Sequence, residues 1–298
     1  MRMGIVFALV LAAVPGSSQP PAQPSPAKAA AEKAYREALA RPTDPAALAA
    51  LMAIFPRVGE YYVVEGDRRL TEDQMFVYVA QLAGGAHSAA PRSGELLVQV
   101  TAGKSERWCQ AARDLTYAVD RASFGEAGQY ETVVRNVAAA AREWEGACRE
   151  CRVTFTHLRE HDASPSHEKV VFVVKGFDSL GAYFAVAFFP SDPPSERFLY
   201  VDPSYFTTEF DKVGVIRHEL GHVLGYRHEH IQDVPGCYRE DKAWIALGPY
   251  DPKSVMHYPC GGGGGRSFAL SASDRGGHRT WYSKPDGGEA CAPAGVTR

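Results

Sequence analysis

The sequence predicts an α+β protein in two parts, a small and mainly helical N-terminal part and a larger part in which strands and helices mix. Two observations predict this fold class. Five short runs rich in β-branched and aromatic residues, bounded by turn residues, have the composition of strands. Two longer segments, residues 126–144 and 212–230, carry apolar side chains at helical spacing.

The overall composition is that of a globular chain. Its 298 residues, 45% of them hydrophobic, are enough for a sizeable core and for one or two domains. The formal net charge of -3 supplies no basic surface, so we expect neither a nucleic-acid partner nor a membrane-surface partner. After the first residues, no apolar run is long enough to span a bilayer.

The first residues have the pattern of a secretory signal. Arg2 supplies a positive charge, residues 4–13 form a short apolar core, and small residues follow at 16–18. We therefore predict a signal peptide over residues 1–18 and a mature protein that is secreted, either to the periplasm or outside the cell. The alternative is a disordered apolar tail. Because no cysteine ends the apolar core, a lipid-anchored form is not supported.

The rest of the N-terminal part, residues 19–104, begins with a linker. Residues 19–27 are rich in proline and cannot pack a core. The elements predicted after the linker are a helix over 27–41, a helix over 45–55 capped by Asp44, a short strand with a turn at Gly66, and a helix opened by Thr71. The composition changes over residues 91–108, where we place the domain boundary.

The larger part is predicted over residues 105–298. Its predicted elements are strands at 115–120, 153–158, 170–177, 182–189 and 197–202, a helix over 126–144 after the first strand, and a histidine-bearing helix from 212. The five-glycine run at 261–265 predicts a loop.

Six cysteines suit an exported protein. They allow fifteen pairings, and the sequence does not choose among them. Cys148 and Cys151 form a lone CxxC, for which a redox or zinc role is one interpretation. Because no second CxxC accompanies it, disulfides of an exported domain are the favoured interpretation.

The segment HELGHVLGYRHEH, which begins at His218, concentrates side chains that bind metal ions. His218 and His222 are four residues apart, so they lie on one face of a helix and can bind one tetrahedral ion. Glu219 lies beside the first ligand and can reach a water on that ion. Gly225 allows the left-handed conformation that turns a chain, and His228 can then return as the third ligand. The segment predicts one catalytic Zn²⁺; the alternative is a charged helix with surface histidines.

The extended pattern HExxHxxGxxH resembles the signature of the metzincin zinc peptidases. Downstream, SVMHY at 254–258 resembles their methionine turn, in which Met256 would form an apolar floor under the metal site. Glu229 after the third histidine, together with the tyrosine of the turn, resembles the astacin family within this group. The resemblance covers most of residues 105–285 and looks like a bacterial-type secreted branch. The chain departs from the family pattern where Cys109 follows Arg-Trp.

The resemblance implies a metzincin-like fold, with a twisted mixed sheet, a long helix, an active-site helix and the methionine turn, preceded by a prosegment. It also implies a zinc endopeptidase that is made as a zymogen and acts on protein or peptide substrates as a monomer. Glu219 would be the general base, and Tyr258 would stabilise the transition state. Glu229 would meet the new N-terminus after a cut near residues 104–107.

The segment VVEGDRRL, residues 63–70, resembles the short prosegment motif whose aspartate binds the zinc of the latent enzyme. Asp67 stands in the inhibitory place, and a carboxylate is a competent zinc ligand. The alternative is an ordinary Gly-Asp turn.

Two other interpretations share the three histidines. A matrixin-like peptidase would have them but would lack SVMHY and Glu229. A non-catalytic exported binding module would keep zinc for structure, but such a site normally closes its fourth position and has no use for Glu219. In the favoured interpretation an extended substrate pairs with an exposed edge strand, for which residues 182–189 are our prediction.

Overall fold

The structure is a computed structural model of the chain. It describes residues 33–34, 36–38, 40–41, 44–53, 55–64, 66–76, 78, 96–232, 234–237, 240, 243–286 and 291–292. The chain divides into two compact units, residues 1–86 with 240–242 and residues 87–239 with 243–298. The predicted signal peptide, the linker and the start of the predicted first helix lie outside the described residues. Within the described part of the chain, no helix is long and apolar enough to cross a membrane.

The first unit joins short helices to a three-stranded antiparallel sheet. Helix α1 (Pro45–Met52) begins where it was predicted. The Asp44 carboxylate caps it by accepting hydrogen bonds from the N–H groups of Ala46 and Ala47, at 2.9 and 3.4 Å. The strands, which pair in chain order, are β1 (Arg57–Val58), β2 (Tyr61–Val64) and β3 (Arg68–Leu70). This sheet is larger than the single short strand that was predicted.

Thr71 opens the next helix, as predicted. Its N–H group donates to Gln74 Oε1 at 2.7 Å, and the Gln74 N–H group donates to Thr71 Oγ1 at 3.3 Å, which is a reciprocal cap. Helices and sheet share a small apolar core, whose members are Ala38, Leu48, Leu51, Met52, Tyr62, Val64, Leu70, Met75 and Tyr78.

The second unit contains the remaining strands and helices. Its strands are β4 (Leu97–Thr101), β5 (Lys104–Ser105), β6 (Arg107–Trp108), β7 (Asp114–Val119), β8 (Thr154–His157), β9 (Phe172–Gly176), β10 (Ala185–Val186), β11 (Phe198–Val201), β12 (Tyr226–Arg227), β13 (Trp244–Ala246) and β14 (Cys291–Ala292). Its α-helices, as far as they are described, are α2 (Gln129–Ala147), α3 (Lys212–Val223) and α4 (Ala272–Tyr282).

The main sheet has five strands in the order β10-β11-β9-β7-β8. Strands β11, β9, β7 and β8 are parallel to one another, and β10 pairs antiparallel with β11 at one edge. All five predicted strand runs contribute to this sheet, which confirms the α+β class. Strand β10 is much shorter than the predicted run 182–189, because Ala187, Phe188 and Phe189 leave the sheet and are buried elsewhere. An apolar run without alternation does not show where pairing ends.

Helices α2 and α3 pack against each other. Val133, Val137 and Trp144 of α2 are fully buried, and the indole N–H of Trp144 donates to the carbonyl oxygen of Arg217 on α3 at 2.9 Å. Helix α3 ends at Val223, well before residue 230. The contacts between these helices fix α3, which carries the first two histidines of the motif.

A smaller sheet has the order β12-β4-β13, and β5 forms a hairpin with β4. Val98 of β4 lies opposite Tyr226 on one side and Ile245 on the other. The second unit therefore includes β4, upstream of residue 105, where the larger part was predicted to begin. The sequence around β4 could not show this, because both of its partners lie far downstream in the chain.

All six cysteines form disulfides. The pairs are Cys109–Cys291, Cys148–Cys151 and Cys237–Cys260. The first ties β6 to β14, which pair as parallel strands. The CxxC residues pair with each other, so this arrangement favours the disulfide interpretation of that motif.

Candidate metal centre

Helix α3 presents His218 and His222 from one face, one turn apart. The helix starts at Asp211, whose Oδ1 accepts a hydrogen bond from the N–H group of Gly214. The helix ends at Val223, and two residues later Gly225, which has a φ of 92°, turns the chain. A Cβ at Gly225 would also lie only 2.9 Å from the carbonyl oxygen of Glu106, so two separate constraints favour glycine here. The turn leads directly into β12 and then to His228.

The three histidines converge. Each offers one ring nitrogen, and these nitrogens all lie within 4.8 Å of one another. All three side chains are buried, with exposed fractions of 1 to 3%. The Nε2 atoms of His222 and His228 are 3.2 Å apart. Two nitrogens on one tetrahedral zinc ion would be separated by about 3.3 Å, so the donor set fits that ion.

Backbone carbonyls fix the tautomers of two of these rings. His218 Nδ1 lies 2.8 Å from the carbonyl oxygen of Val255, and His222 Nδ1 lies 2.7 Å from that of Tyr226. A carbonyl oxygen can only accept a hydrogen bond, so each Nδ1 must carry the proton. Each Nε2 therefore keeps its lone pair for a metal ion.

Glu219, the predicted general base, follows His218 directly on α3. Its side chain is 3% exposed. A carboxylate in this position is shielded from bulk water and lies next to a metal ligand in the sequence. The arrangement is suited to moving a proton to and from a water at the centre.

Met256, the predicted floor, is fully buried against α3. A Cβ at Gly221, the residue before His222, would come within 2.3 Å of the Met256 Sδ atom. The thioether thus occupies the space that the missing side chain leaves. The carbonyl oxygen of Met256 also accepts a hydrogen bond from the N–H group of Glu229 at 2.9 Å, which links this turn to the chain after the third histidine.

Tyr258 lies beside two of the candidate ligand histidines. Its ring centroid is 4.4 Å from that of His228 and 5.2 Å from that of His218. Two further aromatic rings complete the surroundings, since Phe268 lies 5.1 Å from His218 and Phe189 lies 5.2 Å from His222. Neither phenylalanine was predicted at the site: Phe189 was assigned only to the strand predicted over 182–189, and Phe268 lies in an irregular segment without periodic spacing.

Glu229 is buried at 1% exposure, directly after the third histidine. Its Oε1 atom accepts hydrogen bonds from Gln232 Nε2 at 2.6 Å and from the N–H group of Asp251 at 2.9 Å. Among the described residues, Oε2 has no hydrogen-bond partner. Burial raises the pKa of this carboxyl well above its ordinary value. Oε2 therefore has the capacity to accept a further hydrogen bond.

Asp67 lies in the first unit, in the turn between β2 and β3, after Gly66 with a φ of 94°. This placement agrees with the predicted Gly-Asp turn. Such a turn is compatible with both interpretations of Asp67, as an inhibitory zinc ligand and as an ordinary turn residue. Its role as an inhibitory ligand stays a prediction.

Known proteins share little sequence with this chain. No protein-family model matches it, and no curated protein is significantly similar to it. Among solved structures, the chain is similar to high choriolytic enzyme 1, a hatching enzyme zinc-protease from Oryzias latipes (medaka fish), with 15% sequence identity and a TM-score of 0.37. The likeness covers 59% of this chain and 92% of that one. At these values, the assignment of a function rests on the residues of this chain.

Proposed function

We propose that the protein is a zinc-dependent endopeptidase that hydrolyses peptide bonds in proteins or peptides. The observation that carries this proposal is the convergence of three buried imidazoles, of which His218 and His222 have their Nδ1 protons held by backbone carbonyls. Three such donors leave one position of a tetrahedral ion open for water or substrate, as in catalytic zinc sites. A buried carboxylate, Glu219, adjoins the first of them.

In the proposed reaction, His218, His222 and His228 would hold the zinc ion, which would supply Lewis acidity toward the scissile carbonyl and the attacking water. Glu219 takes a proton from that water as its oxygen bonds to the carbonyl carbon. Glu219 then gives the proton to the amine nitrogen as the C–N bond breaks, so the carboxylate is regenerated. Shielding of Glu219 from bulk water favours delivery of the proton to the leaving amine.

Tyr258 would assist at the oxyanion. Its ring lies against His218 and His228, from where its hydroxyl could donate to the negatively charged oxygen of the transition state. The substrate was predicted to pair with an exposed edge strand within residues 182–189. Strand β10 is at the edge of the main sheet, but Ala185 and Val186 are buried, so this edge would have to be uncovered before an extended substrate could pair with it. The outer side of an edge strand offers backbone groups to an added strand.

We also propose that the chain is exported and made in a latent form. Three disulfides are typical of exported proteins. Asp67 would be the inhibitory zinc ligand, and Glu229 would receive the ammonium group of the new N-terminus. A buried carboxyl that has not yet bound a cation is expected to have a raised pKa and an acceptor atom still to be used. Glu229 has both properties. A cut within residues 104–107 would have to open the hairpin of β4 and β5 or expose Glu106 and Arg107, because β5 is paired with β4 and the two residues after it are buried.

Metal content and proteolysis together test the proposed activity. We expect the processed protein to contain one zinc ion per chain, to degrade casein, to stop when a chelator removes the zinc and to recover when zinc is returned. Glu219→Gln should keep the zinc but lose activity by roughly a factor of 10² to 10⁴, the range for removing a general base. Glu160→Gln, an exposed change of the same chemistry, is the matched control. A zinc-loaded, processed protein that cleaves nothing in a peptide library would instead be a binding module.

A further inference from the structure

Helix α4 touches the two backbone segments whose carbonyls hold His218 and His222. We infer that Asp274 and His278 of this helix are positioning residues for the metal centre, each acting on one ligand histidine through one backbone carbonyl. The inference rests on the proposed zinc function, because it assigns to α4 the task of orienting zinc ligands.

The first link runs from Asp274 to His218. Asp274 Oδ1 accepts a hydrogen bond from Ser254 Oγ at 2.6 Å, and Oδ2 accepts one from the N–H group of Val255 at 2.8 Å. The carbonyl oxygen of the same Val255 accepts the Nδ1 proton of His218. Val255 is therefore held by α4 through its N–H group, and it holds His218 through its carbonyl oxygen.

The second link runs from His278 to His222. A hydrogen bond of 2.8 Å joins His278 Nδ1 and the hydroxyl of Tyr226. The carbonyl oxygen of Tyr226 accepts the Nδ1 proton of His222. Both Tyr226 and His278 are fully buried, so water cannot replace the bond between them.

The two links belong to one rigid element. Asp274 and His278 are four residues apart and lie on one face of α4. Asp274 is also fixed at the start of the helix, because it exchanges backbone-to-side-chain hydrogen bonds with Ser271 in a capping box. Since the two residues cannot move independently of each other, the helix sets the relative orientation of two ligand rings.

Partners of this kind measurably affect metal binding. A ligand ring is free to rotate unless the atom that accepts its second N–H is itself held, and loss of such support typically weakens metal affinity by about 10- to 100-fold. A substitution that only destabilises the fold should lower metal affinity by a similar amount wherever it lies in α4. This difference allows a test against a matched substitution in α4.

Three variants of the full chain separate the two roles. Asp274→Asn weakens the hold on Val255, and Tyr226→Phe removes the bond to His278 while the Tyr226 carbonyl remains. Tyr282→Phe is the matched control, because the buried Tyr282 hydroxyl of α4 donates to the carbonyl oxygen of Leu224 at 3.0 Å, which holds no ligand histidine. Should Asp274→Asn fail to fold, Ser254→Ala removes one of the Asp274 hydrogen bonds and takes its place.

Two measurements are made on each variant. Zinc affinity is measured by competition with a chelator, and we expect about a 10- to 100-fold loss for Asp274→Asn and Tyr226→Phe and less than about threefold for Tyr282→Phe. In the metal-free protein, NMR of ¹⁵N-labelled histidine reports the Nδ1 protons. Asp274→Asn should speed exchange of the His218 proton alone, and Tyr226→Phe should speed exchange of the His222 proton alone.

The outcomes distinguish this inference from the proposed function. Unchanged zinc affinity and unchanged Nδ1 protons in both variants would overturn the inference while zinc binding by the unaltered protein still supports the proposed function. An equal loss in Tyr282→Phe would show a general packing effect and would also overturn it. If the unaltered protein binds no zinc, the proposed function fails, and the two Nδ1 protons alone decide the inference.

Discussion

At the scale of single residues, the Nδ1 atoms of His218 and His222 face carbonyl oxygens at 2.8 and 2.7 Å. Each ring is thereby held in the tautomer that leaves Nε2 available. No charged side chain is needed for this, because a carbonyl oxygen accepts at any pH. The neighbouring group His278 is also kept neutral, in this case by burial, and that has a measurable consequence.

His278 should make stability fall in mild acid. Burial lowers its pKa to about 3 in the folded protein, whereas an unfolded histidine has a pKa of about 6.5. Between these values the unfolded chain binds a proton that the folded chain refuses, so the free energy of unfolding falls as the pH falls. From pH 7 to pH 5 this residue alone should contribute a loss of about 2 kcal/mol, measured by urea unfolding at the two values.

Two variants isolate that contribution. His278→Phe removes the titrating ring, so its stability should fall by about 2 kcal/mol less than that of the unaltered protein over the same range. Tyr226→Phe removes the same hydrogen bond but keeps the ring, and the full fall should remain. A His278→Phe protein that loses stability as steeply as the unaltered protein would contradict the assignment.

At the scale of elements, helix α3 and the methionine turn are in van der Waals contact through Gly221 and Met256. The space that a Cβ would need at Gly221 is filled by the Met256 Sδ atom. The same turn holds His218 through Val255, and its Met256 carbonyl accepts a hydrogen bond from Glu229. A shift of the turn away from α3 should therefore disturb the centre at more than one point.

Gly221→Ala should destabilise the protein and weaken zinc binding. An added methyl group at 2.3 Å from Sδ forces the buried Met256 side chain, or the turn that carries it, to move, and overpacking of this kind costs about 1–3 kcal/mol. Gly146→Ala is the control, because it also lies in an α-helix but a Cβ there meets nothing within 4 Å. It should be neutral or stabilising by up to about 1 kcal/mol. Thermal unfolding and zinc titration of both variants check this, and equal behaviour of the two would refute it.

At the scale of the whole molecule, the second unit is closed by contacts between distant parts of the chain. Strand β4 lies between β12 and β13, and the disulfide Cys109–Cys291 spans 182 residues. The contribution of each of these contacts to the stability of the unit can be tested separately.

A chain synthesised from residue 105 should fold poorly, whereas one synthesised from residue 96 should fold well. A cut within residues 104–107 after folding differs from this case, because β4 is then already paired with β12 and β13. The shorter chain lacks β4, so the backbone groups of β12 and β13 that pair with Leu97, Val98 and Gln99 would lose their partners. Circular dichroism and thermal unfolding of the two shortened chains would check this. A cooperative transition at the same temperature in both would show that β4 is dispensable.

Removal of the long-range disulfide should cost more than removal of the local one. In the chain-entropy account, a loop of 182 residues corresponds to about 5 kcal/mol and a loop of 3 residues to about 2 kcal/mol. Replacement of Cys109 and Cys291 by alanine should therefore lower the free energy of unfolding more than the same replacement of Cys148 and Cys151. Denaturant titration provides the comparison, and the reverse order would argue against a role of β6 and β14 in closing the unit.

Features that depend on neighbours along the chain could be predicted from the amino-acid order. The five strand runs, the cap at Asp44 and the placement of His218 and His222 on one helix face follow from local spacing and from short-range hydrogen bonds. Gly225 likewise predicts the end of α3, because the turn that follows the helix needs a residue in the left-handed conformation. These predictions needed no knowledge of what packs against each segment.

Features that join distant segments became visible only in the folded chain. The six cysteines allowed fifteen pairings, β4 has partners far along the chain, and the carbonyls of Val255 and Tyr226 reach the histidines only after α3, the methionine turn and α4 have packed together. Such contacts leave no periodic signal, because the identity of a residue does not state which remote residue it will meet. For that reason the three candidate ligand histidines could be predicted from the sequence, whereas the carbonyl oxygens that their Nδ1 atoms face could not.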